Sequence, residues 1–206
     1  MEDIVVSLFI CLIIPIGMSL LVLKDRSRVL MIFFLSGLFM CLFAGQINGL
    51  ILATTKLDQF TLSITITPVV EEILKSIPIL VFAFIIKPQR QFIMECALMV
   101  GIGFSVLENG YILFTNAEDI TLLWALHRGF GAAMLHAATS FIVGYGISFF
   151  SLRKKTFVTG TYAMLLLAMV IHAIYNMFVQ SSNLVYCGII LPSILFIPLV
   201  IYISKR

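Results

Sequence analysis

An all-α fold, a polytopic membrane helical bundle of about seven transmembrane helices, is what this sequence predicts, and three observations predict it. The first is composition. Of 206 residues, 61% are hydrophobic and 11% charged, with a mean hydropathy of +1.14, which leaves too little polar surface to coat a water-soluble globule. The second is that the apolar residues gather into seven runs, each near the roughly 20 residues a helix needs to cross the hydrocarbon core. The third is where the charges fall: nearly every Lys and Arg sits in a short gap between runs, whereas Glu71, Glu72, Lys75, Glu108, Arg128 and all three histidines lie inside them. An ionisable side chain in hydrocarbon costs roughly 2.5 to 3.5 kcal/mol even on the cheaper insertion scale. Function is the strongest reason to retain such groups.

The runs extend over about 4–23, 29–54, 61–86, 92–114, 122–151, 157–179 and 184–203. Along this alternating path, Lys24, Arg26, Arg28, Lys87, Arg90, Arg153, Lys154, Lys155, Lys205 and Arg206 share one side, and Lys56 stands alone on the other. The positive-inside rule therefore places the C-terminus in the cytoplasm and the N-terminus outside, together with the loop holding Glu118 and Asp119. The first run follows the acidic Glu2 and Asp3 and is too long for a signal-peptide core, so it reads as a retained helix. The basic residues are dispersed, and the net charge of +3 points to no nucleic-acid face. Cys11, Cys41, Cys96 and Cys187 lie on four different runs without metal-ligand spacing, which excludes a zinc ribbon and suggests no disulfide framework. No soluble domain or repeat interrupts residues 1–206, which read as one membrane domain.

The second run carries Gly45-Gln46-Ile47-Asn48-Gly49, a spacing that suits helix contact. In the third, Thr67-Pro68 reads as a helix start, with Thr at the N-cap and Pro at the first helical position, so residues 61–67 are open to either an extended or a helical conformation. Beyond it come Glu71, Glu72 and Lys75. Glu71 and Lys75 are four apart and share a helical face. Two adjacent carboxylates in low dielectric do not both ionise cheaply, a situation that suits a general base or acid, with Lys75 as counter-ion. The fourth run supplies Gly101, Gly103, Phe104 and Glu108, with the last two one turn apart. The fifth places His136 in a stripe of small residues, Gly129, Ala132, Ala133, Ser140 and Gly144, which marks a packed face; His127 and Arg128 nearer its end read as interfacial anchors. In the sixth, His172 and Asn176 share a face, where an amide can fix the orientation of an imidazole.

The ordered set Glu71-Glu72-x-x-Lys75, Gly103-Phe104-Ser105-x-x-Glu108-Asn109, the His136 region ending in Gly144-Tyr145-Gly146, and His172-x-x-x-Asn176 resembles the PrsW family of intramembrane proteases, which belongs with the CAAX-protease and bacteriocin-processing membrane enzymes. The resemblance covers a protease core of about residues 60–180. Glu108 stands where type II CAAX prenyl proteases have histidine, in keeping with the PrsW branch, and Asn176 stands where that branch often has Asp. The resemblance implies an endopeptidase in a prokaryotic plasma membrane that cuts a single-pass membrane protein near its extracytoplasmic side, such as the first cleavage of an anti-sigma factor. It also implies a site of Glu71, Glu72, Glu108, His136, His172 and Asn176. Glu71, beside Glu72, would activate water, and the histidines would stabilise the oxyanion or, with Glu108, ligate a divalent metal such as zinc. The same buried groups also fit a proton-coupled transporter or a non-catalytic membrane scaffold.

Overall fold

A computed structural model describes residues 10–14, 16–116, 121–149, 154–181 and 183–204, and every regular element among them is helical. The apolar segment Ile10–Leu21 closes in a tight turn of 3-10 helix, Ser19–Leu21. There follow α1 (Asp25–Thr54), α2 (Gln59–Thr65), α3 (Thr67–Ile86) and α4 (Arg90–Thr115). Next come α5 (Leu122–Leu126), a π-helical segment His127–Ala132, α6 (Ala133–Ile147), α7 (Lys154–Val179) and α8 (Cys187–Ser204). The expected membrane helical bundle is present. Glu2, Asp3, Glu118, Asp119, Arg153, Lys205 and Arg206, which carried part of the topology reading, lie outside the described residues.

Four of the described helices are both long and apolar enough to span: Asp25–Thr54, Arg90–Thr115, Trp124–Ile147 and Phe157–Val179. That is fewer than the seven expected, for physical reasons. α3 is long and apolar but carries three charged side chains, Glu71, Glu72 and Lys75, and Ile10–Leu21 and Cys187–Tyr202 are shorter apolar helices.

The third run divides in two. Residues 61–65 are helical, part of α2, which starts at an Asp58 N-cap whose carboxylate accepts the Thr61 amide at 2.8 Å. Pro68 has no N–H to offer the preceding turn, so the helix breaks at Ile66 and resumes as α3. Ile66, not Thr67, holds the cap position, and Thr67 lies one place inside the helix.

α3 packs against α1, α4, α6 and α7, and the most extensive contacts in the bundle are those of α4 with α1 and α6. At its C-terminal half, Ile79 and Ala83 join Phe33, Cys96, Val100 and Val143 in an apolar core. Its N-terminal half carries the buried Glu71, Glu72 and Lys75. Glycines set the helix spacing: a Cβ at Gly103 would overlap the Phe34 carbonyl of α1, and one at Gly101 the His136 carbonyl of α6. The exterior is apolar, as lipid requires; α7 alone exposes Val158, Tyr162, Leu166 and Val170. Cys11, Cys41, Cys96 and Cys187 are free thiols, Cys96 buried.

Candidate active site

Lys75 lies at the junction of the site. From α3, its ammonium donates to Glu72 Oε1 at 2.6 Å, one turn back on the same helix, and to His136 Nδ1 on α6 at 3.0 Å. It also sits 4.9 Å over the Phe104 ring of α4, a cation–π contact in a desolvated setting. Glu72 therefore takes the counter-ion that helical spacing had assigned to Glu71. An ammonium only donates, so His136 Nδ1 accepts, and the ring's proton rests on Nε2. From there it is given to Glu108 Oε2 at 2.5 Å. The other Glu108 oxygen accepts from Arg128 Nη2 at 2.7 Å.

The second arm runs through α7. His172 Nδ1 lies 2.8 Å from Glu72 Oε1, a carboxylate that accepts the ring's proton there and turns the Nε2 lone pair outward. That lone pair looks toward Glu71 Oε2, 3.7 Å away and without a hydrogen-bond partner. The His136 and His172 rings stand nearly perpendicular with centroids 5.0 Å apart. Glu71, Glu72, Lys75, His136 and His172 are all buried.

Five of the six residues expected in the site are thus brought together, with Lys75 as their counter-ion, from α3, α4, α6 and α7. Asn176 is not joined to them. Its amide donates to the Ser63 carbonyl at 2.8 Å and ties α7 to α2, while Glu72 has the task of orienting His172. The small stripe around His136 is buried at Ala132, Ser140 and Gly144, but Gly129 is exposed. His127 stays outside the network, its ring edge-on to Tyr186 at 5.7 Å.

Arg128 is the residue that sequence reasoning missed. Expected as an anchor, it is turned inward by the π-helical segment to neutralise Glu108. The available signal was charge balance: three buried glutamates faced a single lysine.

The group able to hold a metal ion also differs from the expected His136, His172 and Glu108. One ligand atom from each of Glu71, His136 and His172 lies within 4.8 Å of the others. Glu108 has both oxygens engaged by Arg128 and His136. The donors fit a divalent cation, with two imidazoles, a carboxylate and an unpartnered carboxylate oxygen facing a ring lone pair. His136 can ligate only by releasing Lys75 or Glu108, because both its nitrogens are engaged.

A buried carboxylate set against an imidazole lone pair is an arrangement that suits hydrolysis. The family model described as PrsW family intramembrane metalloprotease matches residues 25–203, and the chain belongs to that family: it is a membrane peptidase that acts on membrane-protein substrates. No curated protein and no solved structure matches the chain.

Proposed function

We propose that the protein cleaves a single-pass membrane protein near its extracytoplasmic end, with Glu71 and His172 flanking the attacking water. One observation carries this reading. Glu71 Oε2 is buried, unpartnered and 3.7 Å from the His172 Nε2 lone pair, and two acceptors facing each other at that range call for a water or a cation between them. Glu71 takes the proton of the water that adds to the peptide carbonyl. Glu72 holds His172 in the tautomer that presents Nε2, and Lys75 pairs with Glu72 and fixes His136 in rotation. Glu71, His172 and His136 are the residues that would hold a divalent cation such as zinc, which would lower the pKa of water and polarise the carbonyl.

The substrate class follows from depth. Glu108 and His172 each lie seven residues from the same-side ends of α4 and α7, about 10 Å along the helix. Glu71 is four residues inside α3, about 6 Å. With the basic gaps cytoplasmic and the N-terminus outside, that end is extracytoplasmic. The one membrane domain, with its core at about 60–180, would then make the first cut in an anti-sigma-factor-like protein of a prokaryotic plasma membrane.

The test is purified protein in lipid with a single-pass reporter, comparing wild type with Glu71→Gln, Glu72→Gln and His172→Ala, bound metal being measured on the same samples. Each variant is expected to lose about 10²-fold or more in kcat while remaining folded. Undiminished cleavage in all three would sink the assignment. Zinc at one equivalent, lost in His172→Ala, supports the metal reading, and active protein free of metal refutes it.

A further inference from the structure

The Arg128 side of the site holds polar atoms that the network leaves unused. Arg128 contributes Nη2 to Glu108, but its Nε is buried with no partner. The Tyr175 hydroxyl, on α7 three residues from His172, is likewise buried with no partner, and the residue as a whole is 1% exposed. Both are donors, and they adjoin each other: the Arg128 guanidinium lies beside the Tyr175 hydroxyl oxygen, and both face Glu108. Gly131 packs beside the hydroxyl: a Cβ there would stand 3.4 Å from it and 2.6 Å from the Gly188 carbonyl oxygen. A buried polar group without a partner is costly, so two in one place call for a ligand.

We propose that Arg128 Nε–H and Tyr175 O–H bind the carbonyl oxygen of the scissile peptide and receive its developing negative charge. A peptide carbonyl accepts and does not donate, so it matches a pair of adjoining donors. In the step, the water oxygen bonds to the carbonyl carbon, its proton passes to Glu71, and the C=O π pair moves onto the oxygen held by Arg128 and Tyr175. The tetrahedral adduct then collapses, the C–N bond breaks, and the proton passes to the departing amine. Glu108 positions Arg128 through Nη2 and, through its other oxygen, His136. The assignment rests on the peptidase centre at Glu71 and His172 and adds two catalytic residues to it.

The experiment is steady-state cleavage of the single-pass reporter in lipid by Tyr175→Phe, which removes one oxygen and keeps the ring, and by Arg128→Lys, which keeps a cation for Glu108 and removes Nε. Each is expected to lower kcat about 10²- to 10³-fold, with KM within about twofold and the pH profile of the remaining activity unchanged. A merely structural hydroxyl would lower the melting temperature of Tyr175→Phe and leave the kcat of the folded fraction at the wild-type value. That result overturns the proposal, even where Arg128→Lys fails to fold. Full activity in Glu71→Gln and His172→Ala would instead overturn the underlying centre and this proposal with it. Loss in those two with full activity in Tyr175→Phe overturns this proposal alone.

Discussion

Lys75 illustrates how one side chain can fix three others. It is 1% exposed, and it binds Glu72, His136 and the face of Phe104. Removing one partner of a buried pair leaves a charge without compensation, which costs about 3 to 5 kcal/mol. Lys75→Met is therefore expected to destabilise the protein by about that much, read from unfolding in detergent or lipid. Adding Glu72→Gln should recover part of the loss, and a double variant as costly as the two single losses combined would show that the pair is not coupled. The sequence disclosed the presence of this charge but not its partner. Positions i+3 and i+4 are both within reach on a helix, and the choice of Glu72 over Glu71 is made by His136 and His172, 61 and 100 residues along the chain from their partners on α3. Arg128 was obscured for a related reason: a basic residue near the end of an apolar run has the same appearance whether it anchors to headgroups or turns inward.

At the scale of elements, apolar run length located the helices well, and the breaks less well. The bend at Ile66 follows from Pro68, but whether the residues before it are helical depended on the Asp58 cap and on the clasp to Ser63 from Asn176 of α7 and from Gln180 just beyond it. Hydrogen bonds to Thr61 hold the Asp58 carboxyl below its ordinary range. A group with a lowered folded-state pKa stabilises above its unfolded pKa, and that contribution fades as pH falls through the folded one. Protection of the Thr61 amide, the slowing of its exchange relative to a free amide at the same pH, should accordingly be highest at neutral pH and fall below the ordinary aspartate range, while Asp58→Ala should show little protection throughout. The π-helical segment had no sequence signature. Arg128 and His136 are eight apart, which in an α-helix leaves them about 80° out of line; the wider i→i+5 turn removes rotation per residue and lets both reach Glu108. Glycine contacts give a second prediction. Gly101→Ala and Gly103→Ala each push a Cβ into a facing carbonyl and should cost about 1 to 3 kcal/mol. Gly101→Ala displaces the His136 backbone and should also depress kcat, whereas Gly103→Ala displaces α1 and should leave kcat of the folded enzyme near wild type.

For the whole molecule, the bundle is sorted by height: an apolar core around Ile79 and Val100 fills one half, and the ionised network fills the other. This division was legible, because the four motifs place their polar residues toward the same ends of successive runs. His136 was the exception. Counted from Leu122 it is fourteen residues into its run, about 21 Å along a straight helix, and in the structure it meets Glu108 at 2.5 Å. The proposed cation set takes one residue from each of α3, α6 and α7, so occupancy would bind three helices through their polar half. A ligand that binds only the folded state stabilises it by RT ln(1 + [L]/Kd), about 4 kcal/mol at a thousandfold excess over Kd. Chelation is therefore expected to lower the melting temperature, and restored zinc to raise it again in proportion to the logarithm of its free concentration. In Glu71→Gln the ligand set loses its charge, and the melting temperature should no longer follow zinc. The Lys75–Glu72 pair lies outside the cation set, so amides around it should keep their protection in chelated protein while those at the α6–α7 contact lose theirs. A melting curve indifferent to chelator in protein that still cleaves its reporter would remove the cation from the site and leave Glu71 as the sole activator of water.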